Sequence, residues 1–129
     1  MSVEIELKAW ADNEKSLKNK LDRDLNPIGE YLKEDVYWVP GRGFEGFREN
    51  FRSGLRVRKE TWKRTGGSDR EDTKTIVCFK MKEIRDSIEV NDEKEFEVSN
   101  PSVFEELIKN LGFEPDFEKT KQGWAWDCG

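Results

Sequence analysis

Apolar and charged residues alternate along the first stretch of the chain, Val3-Glu4-Ile5-Glu6-Leu7-Lys8-Ala9-Trp10. That is the period-two pattern of a strand with one apolar and one charged face. Asp12 or Asn13 then offers a helix cap, and Leu17, Leu21 and Leu25 recur every four residues, a helix that Pro27 and Gly29 end. Residues 30–39 predict a second strand, stopped by Pro40. Four glycines fall between positions 41 and 54 with no clean period, which predicts a loop over 40–54. Gly54-Leu55-Arg56-Val57-Arg58-Lys59 alternates again, and a polar loop follows around Thr65 to Asp69. Thr73 to Lys82 is rich in strand formers, with Lys80 and Lys82 on one face and Phe79 and Met81 on the other. Glu93 to Val98 places three glutamates on one face. The clearest helix opens at Asn100-Pro101 or at Ser102, where Ser102 and Glu105 make a capping box. Phe104, Leu107, Ile108 and Leu111 form its buried stripe, and Gly112 stops it. Phe113 to Lys121 and Gly123 to Trp126 predict two further short strands. Helices do not alternate with strands in this order, so an antiparallel α+β architecture fits better than a doubly wound one.

Composition narrows the picture. A chain of 129 residues is long enough for one domain, over 1–129, and too short for two comfortable ones. Hydrophobic residues at 34% against charged residues at 40% is a poor ratio for a core, but five Trp and eight Phe argue against disorder. The formal charge is 23 − 28 = −5, which gives no overall basic footprint and speaks against nucleic acid as the main partner. Histidine is absent, and Cys78 and Cys128 are far apart with no zinc spacing. Histidine-based triads and imidazole bases are therefore excluded. A metal must be bound by oxygen, which suits Mg²⁺, Mn²⁺ or Ca²⁺. No signal peptide or long apolar run is present, so the cytoplasm is the default location and no membrane is expected.

The strands share one feature. Glu4/Glu6/Lys8, Arg56/Arg58, Lys80/Lys82, Glu93/Glu95/Glu97 and Lys119/Lys121 each stand two residues apart, on one side of their strand. Alternation alone is the ordinary signature of a half-solvated antiparallel sheet. Here, though, the charges are sorted by sign: glutamates dominate two strands and bases fill three. Like charges along one face repel, a cost that bound counter-ions relieve. Arginine grips phosphate oxygens in bidentate fashion and lysine binds them as a point charge. Glutamates beside such a cluster make sense with a divalent cation between them and the phosphates. Cys78 shares the parity of Lys80 and is read as structural.

These residues carry a resemblance. Glu4-Ile5-Glu6-Leu7-Lys8 is similar to the ExExK signature of the CYTH family, the triphosphate tunnel metalloenzymes. Leu55-Arg56-Val57-Arg58 resembles that family's LRxR strand, Thr75 to Lys80 its T-x-x-x-x-K strand, and Glu93 to Glu97 its ExExE strand. Leu111-Gly112-Phe113 followed by Lys119-Thr120-Lys121 resembles its LGF…KxR segment. The resemblance implies an antiparallel β-barrel or tunnel with flanking helices and the charged residues inside. It implies Glu4, Glu6, Glu93, Glu95 and Glu97 as ligands of Mg²⁺ or Mn²⁺. Lys8, Arg56, Arg58, Lys80, Lys82, Lys119 and Lys121 become the phosphate-binding set, with Lys8, Arg56, Arg58 and Lys80 central to catalysis. The substrate it implies is a triphosphate: ATP, thiamine triphosphate or tripolyphosphate, cyclised or hydrolysed.

Family members continue past the position of Gly129 into strands with further acidic residues, and Lys121 stands where arginine is usual. An incomplete or open barrel is therefore expected, whose free edge invites a homodimer. An inactive module that binds polyphosphate or nucleotide is the alternative function. A third reading uses Arg42, Phe44, Phe47, Arg48, Phe51 and Arg52 of the 40–54 loop to stack single-stranded RNA, or to cover the barrel mouth. Trp124 and Trp126 are expected in the core or at a dimer contact.

Overall fold

Asn13 closes the first turn of the first helix, its side-chain oxygen accepting the backbone N–H of Ser16 at 3.0 Å. The computed structural model describes residues 6–41, 54–66 and 71–129, with the side chains of Lys82 and Glu83 left aside. Its elements run α1 (Glu14–Asp24), β1 (Asn26–Pro40), β2 (Leu55–Arg64), β3 (Glu71–Arg85), β4 (Ile88–Val98), α2 (Pro101–Asn110) and β5 (Phe113–Asp127). The five strands form one antiparallel sheet in the order β4-β3-β2-β1-β5, an open α+β half-barrel with two helices.

The alternation seen in the sequence sorts the sheet into two faces. Val36 pairs with Val57, Val57 with Val77 and Val77 with Phe96, and Trp38 pairs with Leu55. Side chains paired directly across strands share a face. Trp38, Leu55, Val57 and Val77 are buried there together with Ile108 of α2 and Phe113 of β5, and Val36, Phe79, Val98 and Phe104 pack against them. Each such side chain contributes about 1.5–3 kcal/mol on leaving water. α2 is capped by Asn100, whose Oδ1 accepts the Val103 N–H at 3.3 Å, with Pro101 at the first helical position. Ser102 is therefore not the cap. Gly112, at φ 99°, turns the chain out of the helix into β5, a conformation that disfavours any side chain.

Several expectations are corrected. Residues 6–10 are not in a strand, and Leu7 and Trp10 are 94% and 99% exposed. An alternating pattern becomes a strand only where a sheet edge takes it up in register. Pro27 and Gly29 do not separate α1 from the next strand but lie inside β1, where the register shifts between them. A proline is tolerated at a strand's start or at such an irregularity, where no ladder N–H is required. β4 begins at Ile88, earlier than its acidic run. The two residues between β3 and β4, Asp86 and Ser87, both take positive φ, as the tightest hairpins demand. The last two short strands are one, β5, of 15 residues. On α2, Leu107 and Leu111 are about half exposed, so its buried stripe narrows to Phe104 and Ile108. Trp124 and Trp126 hold α1 in place. Lys18 lies over the Trp124 ring, and the Trp126 indole donates to Asp22 at 2.9 Å. No helix among the described residues is long and apolar enough to cross a membrane.

Candidate functional site: a charged sheet face

The register places the remaining side chains of the strands in rows across the second face. One row reads Phe117, Tyr37, Arg56, Cys78, Glu95 from β5 to β4. The next, about 6.7 Å along the strands, reads Lys119, Asp35, Arg58, Ile76, Glu97. Lys121 stands beside Lys33 in the row beyond, and Lys80 pairs with Glu93 on the other side. Arg56, Arg58, Lys80, Lys119, Lys121, Glu93, Glu95 and Glu97 thus share one face, with the acids on edge strand β4 and the lysines of β5 at the opposite edge. Lys82 keeps the parity of Lys80 and pairs with Asn91.

Three contacts define the centre. The Arg58 guanidinium grips Asp35 through Nε at 2.7 Å and Nη2 at 2.9 Å. Arg56 Nη2 lies 3.8 Å from Glu95 Oε2. Cys78 Sγ donates to Glu93 Oε1 at 3.0 Å. Tyr37, Gly54, Arg56, Cys78, Lys80 and Glu93 line a shallow cleft of about 150 Å³ on this face. Gly54, at φ 71°, is part of its wall, and a Cβ there would collide with the Trp38 carbonyl. The Nε of Arg56 is buried and has no hydrogen-bond partner among the described residues. A larger cleft of about 520 Å³ lies on the helix-covered side, between β2, β3 and the start of α2, lined by Val36, Val57, Thr75 and Val98 among others. Glu97 contributes to its wall although its register aligns it with Glu93 and Glu95. The smaller cleft is the one where the sorted charges converge.

The electrostatics follow from these neighbours. Asp35 is 1% exposed. Burial pushes its carboxyl up, yet the bonds from Arg58 and the charges of Arg58, Arg56 and Lys121 outweigh that and hold it below the ordinary carboxylate value. Arg58 is held above its ordinary value, first by the same bonds. Lys121 is pulled down by partial burial, then by Lys119 and Arg58, and at longer range by Lys8. Its ammonium already feels surplus positive charge, a condition an anion relieves. Cys78 is pushed up to about 11 by burial and then by its bond to Glu93, so it stands as a protonated thiol.

The ligand atoms of Cys78, Glu93 and Glu95 lie within 4.8 Å of one another, a possible metal-binding group. The two carboxylates suit a hard divalent cation such as Mg²⁺ or Mn²⁺. The thiol does not, and as an S–H donor it instead orients Glu93.

Asp35 was missed by sequence reasoning, and its signal was faint: one carboxylate at the parity of Tyr31, Lys33 and Tyr37. Its consequence is large. Two of the Arg58 nitrogens are committed to Asp35, so Arg58 offers phosphate only its remaining N–H groups. Glu6 and Lys8 are not brought onto the sheet. They pair with each other at 3.7 Å and are well exposed. Glu4 lies outside the described residues, as does the Arg/Phe set from Arg42 to Arg52.

No family model matches the chain, and no curated protein sequence does. Among solved structures, it is similar to the PH1819 protein of Pyrococcus horikoshii OT3, with a TM-score of 0.61 and 18% identity over 98% of this chain and 65% of that one. It is also similar to PH1012 of the same organism, with a TM-score of 0.51 and 24% identity over 88% of this chain and 58% of that one. The chain therefore spans less than two thirds of either neighbour. At these identities the likeness is one of fold.

Proposed function

We propose that the charged face binds a triphosphate together with a divalent cation and turns it over, as the resemblance to the triphosphate tunnel family implies. The observation that carries this reading is the convergence of Arg56, Lys80 and Glu93 from three strands on one small cleft, with Glu95 paired to Arg56 beside it and Lys119 and Lys121 on the same face. Arg56 and the lysines bind and neutralise phosphate oxygens, a task in which positioning and charge are nearly the whole of catalysis. Asp35 acts as a positioning residue, fixing the plane of Arg58. Glu93 and Glu95 would hold Mg²⁺ or Mn²⁺, which supplies charge neutralisation at the phosphates when bound. The nucleophile is water in a triphosphatase and the ribose 3′-hydroxyl in a cyclase.

One observation favours a second reading. Glu6 stands off the sheet, so among the described residues the acids on this face come from β4, apart from Asp35, which is committed to Arg58. A module that binds the triphosphate without turnover needs only the basic half. Calorimetry and product release from ATP, thiamine triphosphate and tripolyphosphate, with Mg²⁺, Mn²⁺ or EDTA, separate the two. The enzyme releases phosphate or cyclic AMP only with metal. The module binds equally well in EDTA and releases nothing. Absence of binding to all three ligands would reject both.

A further inference from the structure

We propose that the stacked Tyr37–Phe117 pair is a ring-recognition platform beside the phosphate-binding residues. The triphosphate this face favours then carries a flat heteroaromatic ring and is not the bare inorganic chain. The inference rests on the triphosphate reading and names the substrate class within it.

The two rings lie across β1 and β5 as direct cross-strand partners, with centroids 4.4 Å apart and planes only 12° from parallel. Tyr37 is half-buried, lines the small cleft and covers one side of the stack. Phe117 is 52% exposed, on the same face as the rows of charged residues. A ring with one face packed and much of its surface in water is a stacking surface for a third ring, whose offset-parallel contact continues the pair.

The position matters as much as the exposure. Phe117 heads the row that contains Arg56, and Lys119 follows it two residues along β5 on the same face. One such step is about 6.7 Å, comparable to the reach from a base across its sugar to the first phosphate. A ligand stacked on Phe117 therefore lays its phosphates toward Lys119, Lys121 and Arg56. The second aromatic pair on this face does not offer the same surface. Tyr31 and Trp62 are tilted at 51°, and Lys33 and Arg64 already sit over their rings. Inorganic tripolyphosphate gains nothing from either pair.

Ordinary cross-strand packing is the competing account of the Tyr37–Phe117 stack. It predicts a contribution to stability and no effect on ligand choice. The test compares binding of ATP, thiamine triphosphate and tripolyphosphate to the full chain and to Phe117→Leu and Phe117→Trp, with folding checked by circular dichroism. The wild type is expected to bind at least one of the ring-bearing ligands about tenfold tighter than tripolyphosphate, within the range that base–aromatic stacking supplies. Phe117→Leu abolishes that preference and leaves tripolyphosphate affinity within about twofold. Phe117→Trp retains it, and does so even where the leucine variant fails to fold. The arm that loses affinity in Phe117→Leu tells which ring is recognised. Equal affinity for all three ligands in the wild type, or an equal loss for all three in Phe117→Leu, overturns the platform while leaving the phosphate site standing. No binding of any ligand by the wild type overturns both.

Discussion

The two faces of the sheet are built from alternate residues of the same strands, and they solve opposite problems. Val57 and Val77 turn toward α2 and lose nearly all contact with water, while Arg56, Arg58 and Cys78, their neighbours in sequence, turn the other way. On the helix side, burial alone fixes each side chain, and any apolar residue of similar volume would do. On the charged side the centre is buried as well, at Asp35 and Cys78, but position there is set by specific pairs: Asp35 with Arg58, Arg56 with Glu95, Cys78 with Glu93. Stability and the proposed ligand binding then fall to separate residue sets one position apart. Among the described residues, Asp35 is the one buried charge that would belong to both.

That separation is open to direct attack. Trp38→Ala removes the largest buried side chain of the helix-side core and should cost about 3–5 kcal/mol of stability. Denaturant unfolding measures it, and a loss below about 1 kcal/mol would mean this face is not the core. Asp35→Asn leaves a partly buried Arg58 without its counter-charge, a change that costs about 3 kcal/mol when one partner of a buried pair is lost. Here pH sharpens the comparison. A depressed carboxyl contributes stability that is fully present above its unfolded value, near 3.8, and is lost as pH falls through its lower folded value. The stability gap between wild type and Asp35→Asn should therefore be widest at neutral pH and close under acid. A gap that persists unchanged at the acid end would break the account. Lys119→Gln, on the exposed side, should change stability by less than about 0.5 kcal/mol while weakening triphosphate binding about tenfold. The smallest effect is chemical. At pH 8 alkylation should label exposed Cys128 and spare Cys78, whose labelling rate climbs only toward its raised value of about 11. Equal labelling of both thiols in the folded protein would contradict the Cys78–Glu93 bond.

Much of this arrangement was legible in the sequence because a strand's side chains have a period of two. Parity alone places Arg56 with Arg58 and Glu93 with Glu95 and Glu97, and the antiparallel register then brings the sets onto one face. What parity does not carry is which edge a strand joins. Val3 to Trp10 has as clean an alternation as β2, yet residues 6–10 stay off the sheet, and with them Glu6 and Lys8. Nor does parity reveal a buried pair. Asp35 is an ordinary acid in a mixed strand until β2 is laid beside it and Arg58 comes within 2.7 Å. The hairpin at Asp86-Ser87 was hidden for a similar reason. Its positive φ angles are those of an Asp-Gly turn, but serine in the second place gives no such signal. Phe117 likewise takes on meaning only through its cross-strand partner Tyr37, which the register supplies.

Nitrogen-detected NMR of the arginine and lysine side chains during titration with tripolyphosphate, with and without Mg²⁺, tests the shared-face claim most directly. The account predicts that the Arg56 side-chain Nε–H and the ammonium groups of Lys80, Lys119 and Lys121 shift together along one saturation curve, with α1 and α2 unmoved. Shifts scattered over the helices, or separate curves for Arg56 and Lys119, would show that these charges do not form one site.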